Sequence, residues 1–291
     1  MIIVKLLGGL GNQMFQYAFA KRLAHVNRLP LKLDLSEYQS LSQLRNYELS
    51  CFNVTAEIAT SDEISSYINY GPIHRFCRKI KMVFNLPLSG VIMEHQFSFD
   101  KSIAMLTGGA YVYGYWQSEK YFSDIQHVIR NDFTFSIDPD ANNQAMIDCI
   151  TRAPNSVSLH IRRGDYATDP RIRKVHGLCE LDYYYSAMKV MVEKLIEPEF
   201  YVFSDDPEWT RKYLRIDYPL TFVSHNNSTN SYEDLRLMTL CKHNITANST
   251  FSWWGAWLNR NRGKIVITPR KWFRNDSVDS NDLIPLNWIR L

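Results

Sequence analysis

The chain has no cysteine pair at CxxC or CxxH spacing, no apolar run of the roughly 20 residues that span a bilayer, and no strong excess of one charge sign. Each absence closes a class of function. The five cysteines (Cys51, Cys77, Cys149, Cys179, Cys241) are scattered and odd in number. That argues against a disulfide framework or a structural zinc site and for reduced thiols. The first residues, Met1-Ile2-Ile3-Val4, lack the basic region that opens a secretory signal. The Asn53, Asn244 and Asn248 sequons therefore read as chance matches, and a cytoplasmic protein, with at most peripheral contact to an inner membrane, is expected. The basic and apolar segment 74–84 suits either a lipid surface or an ordinary amphipathic helix with a solvated basic face. The 33 basic and 30 acidic residues leave a formal charge of +3, too small for a nucleic-acid surface and compatible with a local site for an anionic small molecule.

What is present is alternation. The 291 residues are enough for two domains, and 45% hydrophobic content can fill a core in each. Ile2 to Leu6 reads as a buried strand, Gly8-Gly9-Leu10-Gly11-Asn12-Gln13 as a tight turn, and Met14 to Ala24 as a helix. Strand, glycine turn and helix open a Rossmann-like unit. Leu31 to Asp34 and Tyr111 to Trp116 read as further strands, and Tyr121 to Asn131 as a helix. The stretch 40–110 yields no clear order. Residues 136–145 are polar, carry Pro139 and read as a linker into a helix over 144–152. Strands are then expected at 157–161, 200–204, 220–223, 244–247 and 264–268, with helices at 182–196, 207–213, 232–241 and 252–258. The fold class read from this alternation is α/β, with two Rossmann-like domains (1–143 and 144–291) facing across a cleft.

Three motifs carry chemistry. His160-Ile161-Arg162-Arg163-Gly164-Asp165-Tyr166 follows a strand, where parallel sheets bind ligands. Adjacent arginines suit a diphosphate, because guanidinium forks grip phosphate oxygens bidentately and stay charged. The plain alternative is a basic surface turn. Asn248-Ser249-Thr250-Phe251-Ser252-Trp253-Trp254 again runs from strand to helix, and a helix N-terminus suits phosphate. Its plain alternative is a Ser/Thr cap over a tryptophan core face. The Gly8 to Gln13 turn lacks both GxGxxG and GK[ST], and there Asn12 is placed to hold a sugar or a phosphate oxygen. Asp205-Asp206 suits helix capping better than a metal. Asp138-Pro139-Asp140 matches a metal-binding DxD pattern but lies in the linker. Asp234, near a helix start, can accept guanine N–H groups.

Together these blocks resemble the alpha-1,2-fucosyltransferases of glycosyltransferase family 11. They comprise Gly8 to Tyr17, His160 to Tyr166, Phe203 to Pro207 and Asn248 to Trp257, in that order. The resemblance implies a GT-B fold, GDP-beta-L-fucose as donor, inversion, transfer to the 2-hydroxyl of a terminal galactose, and no metal or other cofactor. It implies that His160 contacts guanine and that Arg162, assisted by Arg163, clamps the diphosphate. Asn248, Ser249, Thr250 and Phe251 would line the nucleotide site, Asp234 would read guanine, and Gly11 with Asn12 would face the sugar and beta-phosphate. A base for the acceptor is left open. Asp165 is one candidate, though two neighbouring cations weaken it and a salt bridge orienting the arginines is its other role. Asp169 is a second candidate, and an oxocarbenium-rich path needs no strong base. Two other readings stand beside this one: a GT-B transferase for another nucleotide sugar, and a non-catalytic carbohydrate-binding protein.

Overall fold

A computed structural model describes residues 1–39, 45–68, 90–275 and 278–291. The segment 74–84 lies outside them. The chain forms two compact units. One comprises Met1–Ser136 with Asn281–Leu283, and the other Ile137–Ser280 with Ile284–Leu291.

The first unit runs β1 (Ile2–Lys5), α1 (Leu10–Asn27), β2 (Leu31–Asp34), β3 (Glu57–Ile58), α2 (Ser61–Ile68), β4 (Gly90–Met93), α3 (Lys101–Ala104), β5 (Ala110–Tyr113) and α4 (Gln126–Asp132). Its five strands are all parallel, in the order β3-β2-β1-β5-β4. Ile2, Ile3 and Val4 are buried because β1 has a neighbour on each side and helices over both faces. Ile3 and Tyr111 pack with Ala59 on one face. On α1, Phe19 meets Trp116 and Tyr121, with ring centroids 4.4 and 4.8 Å apart. This helix starts four residues earlier than its apolar spacing suggested. The turn is confined to the residues before Leu10, and the amides of Asn12 and Gln13 already bond to the Gly9 carbonyl at 2.9 and 3.1 Å. Strand β5 stops at Tyr113 rather than Trp116: Gly114 follows with φ of 155°, and Trp116 adopts a left-handed φ of 57°. The helix expected over 121–131 is two short 3-10 turns followed by α4.

The second unit runs α5 (Ala141–Arg152), β6 (Ser156–Ile161), α6 (Gly164–Thr168), α7 (Pro170–His176), α8 (Leu181–Lys194), β7 (Glu199–Ser204), α9 (Pro207–Tyr213), β8 (Leu220–Val223), α10 (Ser231–Leu240), β9 (His243–Ile245), α11 (Thr250–Leu258), β10 (Val266–Thr268) and β11 (Ile289–Arg290). All six strands are parallel, in the order β11-β10-β9-β6-β7-β8. This is the doubly wound Rossmann order, with the direction of winding reversing between β6 and β9. Strand alternation sorts the core. Val157, Leu159, Phe200 and Val202 face α8 through Tyr184, Met188 and Met191. Tyr201 and Phe203 face the other way, against Ile150, Leu237 and Met238. A boundary after residue 143 would cut through α5, whose Asn143 amide exchanges bonds of 2.9 and 3.0 Å with Asn226 of this unit. Asp140, in the DxD-like stretch, caps α5 through the Asn143 amide at 2.8 Å.

Candidate functional site: the ends of strands β6, β7 and β9

The alternation that buries Leu159 against α8 turns His160 to the opposite face. There its ring lies 5.9 Å from Phe251 at the start of α11. His160 is only 6% exposed, and its Nδ1 has no hydrogen-bond partner in the structure. Burial, and secondarily the Arg162 charge, pushes the imidazole down to about 3, so it is neutral near pH 7. A neutral ring keeps one N–H and one lone pair, which suits the edge of a nucleobase. The contact follows from the sheet order, since β6 and β9 pair in parallel register with Leu159 beside Ile245. The His160 and Ser249 segments therefore leave the sheet side by side.

Beyond β6 the two arginines diverge. The Arg162 guanidinium bridges Asp165, three residues on, and Asp205 at the end of the neighbouring strand β7. It also lies 5.0 Å from the centre of the Tyr166 ring. Arg163 stacks over Trp209 at 3.5 Å and meets Asp206 at 3.3 Å, while its own amide bonds to Asp205 at 2.7 Å. The two arginine side chains are 17% and 19% exposed. They are thus held rather than free in solvent, and the two carboxylates engage two of the five N–H groups of Arg162. Gly164 makes the cluster possible, because a Cβ there would collide with the Asp205 carboxylate.

Ser249 sits at the N-cap of α11 but makes no side-chain capping bond, contrary to the expected cap. Thr250 and Phe251 form the first turn, and Phe251 packs on the Phe203 and Leu237 cluster. Asp234 lies in the first turn of α10. Desolvation raises its carboxyl to about 6, against a bond from Asn226 Nδ2 at 2.7 Å. Asn248 is committed elsewhere, since its amide donates to the His176 and Trp272 carbonyls at 2.9 and 3.2 Å and so ties two loops together. Asp169 caps α7 and pairs with Arg171 at 2.9 Å, which lowers its carboxyl. In the first unit, Gly11 is buried within α1. Asn12 Oδ1 accepts from Gln117 Nε2 at 3.0 Å.

The reading of motifs missed Asp205 as the anchor of Arg162, Trp209 as the platform under Arg163, and Gln117. The first was available in principle: parallel neighbours bring their carboxyl ends together, and both strand ends were visible as separate motifs.

The model for glycosyl transferase family 11 covers residues 81–291. The chain belongs to glycosyltransferase family 11. It is 34% identical to an Escherichia coli alpha-1,2-colitosyltransferase, over 100% of this chain and 98% of that one. It is 32% identical to the Escherichia coli O-antigen biosynthesis glycosyltransferase WbnK, over 98% and 99%. A gibbon (Hylobates lar) galactoside alpha-(1,2)-fucosyltransferase 2 is 24% identical over 88% and 68% of the two chains. In fold, this family 11 enzyme is similar to the fucosyltransferase NodZ from Bradyrhizobium, with TM-score 0.51, 12% identity, and coverage of 87% and 92%. A point mutant of Arabidopsis thaliana FUT1 in complex with GDP gives 0.55 at 11% identity, covering 98% and 74%. The protein is a glycosyltransferase of α/β, GT-B-like fold, with one parallel sheet in each unit.

Proposed function

We propose that the enzyme transfers L-fucose from GDP-beta-L-fucose to the 2-hydroxyl of a terminal galactose, with inversion and without a metal ion. The observation that carries this reading is the placement of Arg162 and Arg163 at the β6 end, beside His160, Phe251 and the N-terminus of α11. One strand end then serves base and diphosphate together. His160 and Asp234 address guanine. Arg162, Arg163 and the first turn of α11, with Ser249 and Thr250, take the phosphates. A polyanion competes with Asp165 and Asp205 for Arg162.

In the reaction, the acceptor oxygen attacks C1 of the sugar from the face opposite GDP. The bond from C1 to the beta-phosphate oxygen breaks, its electron pair stays on that oxygen, and the acceptor proton is lost to a base or to water. Negative charge grows on the beta-phosphate, so a guanidinium fixed there stabilises the transition state more than the ground state. The ion pair to Arg162 favours Asp165 as its positioning partner over Asp165 as base.

The likeness to a colitosyltransferase supports a second donor, GDP-colitose, which lacks the 3-hydroxyl of fucose. The O-antigen relative supports a polysaccharide precursor in the bacterial cytoplasm as the acceptor. Among the described residues no helix is long and apolar enough to cross a membrane. The test is incubation of each donor with a beta-galactoside, with EDTA or with added Mg²⁺, followed by NMR of the product linkage. A fucosyl alpha-1,2-linkage formed equally in EDTA is the expected result. Activity only with added metal, or only with GDP-colitose, would replace the corresponding part of the reading.

A further inference from the structure

At the carboxyl end of the first unit's sheet, buried polar atoms of two consecutive residues have no hydrogen-bond partner among the described residues. They are Trp116 Nε1 and Gln117 Oε1. Burying a polar group without a partner costs free energy, so such atoms are uncommon and call for an explanation. Trp116 also has φ of 57°, a conformation that bulky residues avoid. Protein contacts brace this turn. Glu94, just after β4, accepts the amides of Tyr115 and Trp116 at 2.7 and 3.0 Å. The effect of the strain is directional, because it brings Gln117 to Asn12, whose Oδ1 accepts from Gln117 Nε2 at 3.0 Å. Asn12 in turn crowds Gly8, where φ is 72° and a Cβ would come within 2.7 Å of the Asn12 amide nitrogen. Strands β1 and β5 are paired neighbours, and between them the winding of this sheet reverses. That is the place where open parallel sheets bind ligands.

The geometry points to a sugar-hydroxyl subsite built by Gln117 and Trp116, with Asn12 positioning the Gln117 amide and Glu94 holding the turn. Trp116 Nε1 gives a hydrogen bond and Gln117 Oε1 receives one, and a hydroxyl can do the complementary half of each. The partly buried Glu94 carboxylate makes an anion a poor occupant. Tyr115, stacked on Phe97 at 6.4 Å and 36% exposed, offers an aromatic face beside the same turn. The subsite deepens the proposed transfer and rests on it. Its occupant is a sugar hydroxyl, supplied either by the galactose acceptor or by the donor's own sugar.

The variant Gln117→Met keeps the length and removes the polar atoms. Turnover is measured against methyl beta-galactoside, and donor hydrolysis is measured in its absence. Folding is checked by melting temperature and by the shift that GDP produces. A tenfold or greater rise in acceptor KM, with donor hydrolysis unchanged, supports the acceptor arm. A comparable rise in KM for donor hydrolysis, with GDP affinity unchanged, supports the donor arm. Less than a twofold change in both, in a folded variant, overturns the subsite. If methionine is not tolerated, Gln117→Asn withdraws Oε1 by one methylene and is expected to give the same loss. Saturation-transfer NMR of methyl beta-galactoside and of GDP-fucose reads binding without turnover. A wrong assignment of the overall reaction, shown by inactive wild-type enzyme, is thereby separated from a wrong assignment of Gln117.

Discussion

Arg162 and Asp205 are 43 residues apart in sequence, yet they are joined by an ion pair across the ends of two adjacent parallel strands. The same carboxylate accepts the Arg163 amide, so one aspartate fixes both the side chain of the first arginine and the backbone of the second. A guanidinium already positioned needs little reorganisation when charge develops nearby.

Arg162→Ala is expected to lower kcat by about 10²-fold or more, the usual loss for a preorganised donor to a developing oxyanion. It should also abolish the rise in melting temperature that GDP confers on the wild type in EDTA. Arg162→Lys should restore little, since an ammonium cannot bridge two carboxylates and still present a planar fork. Steady-state kinetics and thermal scans with GDP check both. Near-normal turnover in the alanine variant would remove Arg162 from the chemistry.

Asp165→Asn separates two roles. As the positioning partner of Arg162, Asp165 can be replaced at a cost of about tenfold or less in kcat, with the shape of the wild-type pH–rate profile kept. A loss of about 10³-fold together with loss of a basic-form limb that the wild type shows would instead make Asp165 the general base. The pH–rate profile of the variant decides.

Affinity for GDP-fucose should fall as pH drops through about 6. Asp234 is raised to that value by desolvation, and once protonated it no longer accepts from guanine with both oxygens. The diesterified phosphates of the donor do not titrate there, so titration calorimetry from pH 5 to 8 isolates the carboxylate. Asp234→Asn should bind weakly and without this slope.

His160 adds an acid limb of its own, in stability. Its folded value is lowered to about 3, from about 6.5 for an unperturbed imidazole. Its contribution is therefore complete above pH 6.5, where both states are neutral. It is lost as pH falls below 6.5, because the unfolded chain takes up the proton first. The melting temperature of wild type should decline below that pH more steeply than that of His160→Gln.

Local pattern fixed much of this protein. Apolar runs marked the strands of the second unit closely because parallel strands are buried on both faces, and α9 and β8 lie where the residues place them. Paired arginines called for partners, and the structure supplies Asp165, Asp205 and Asp206. What chain order could not convey was adjacency. Only the sheet order brings Asp205 to Arg162, sets Phe251 against His160, and turns Asn248 from an expected ligand contact into a clamp on two loops. Likewise Gln117, an unremarked polar residue in an aromatic stretch, gains meaning only when the β1 and β5 ends meet. Periodicity is a short-range property that neighbouring residues determine. A binding site is a long-range one, decided by which strand ends the winding of the chain places side by side.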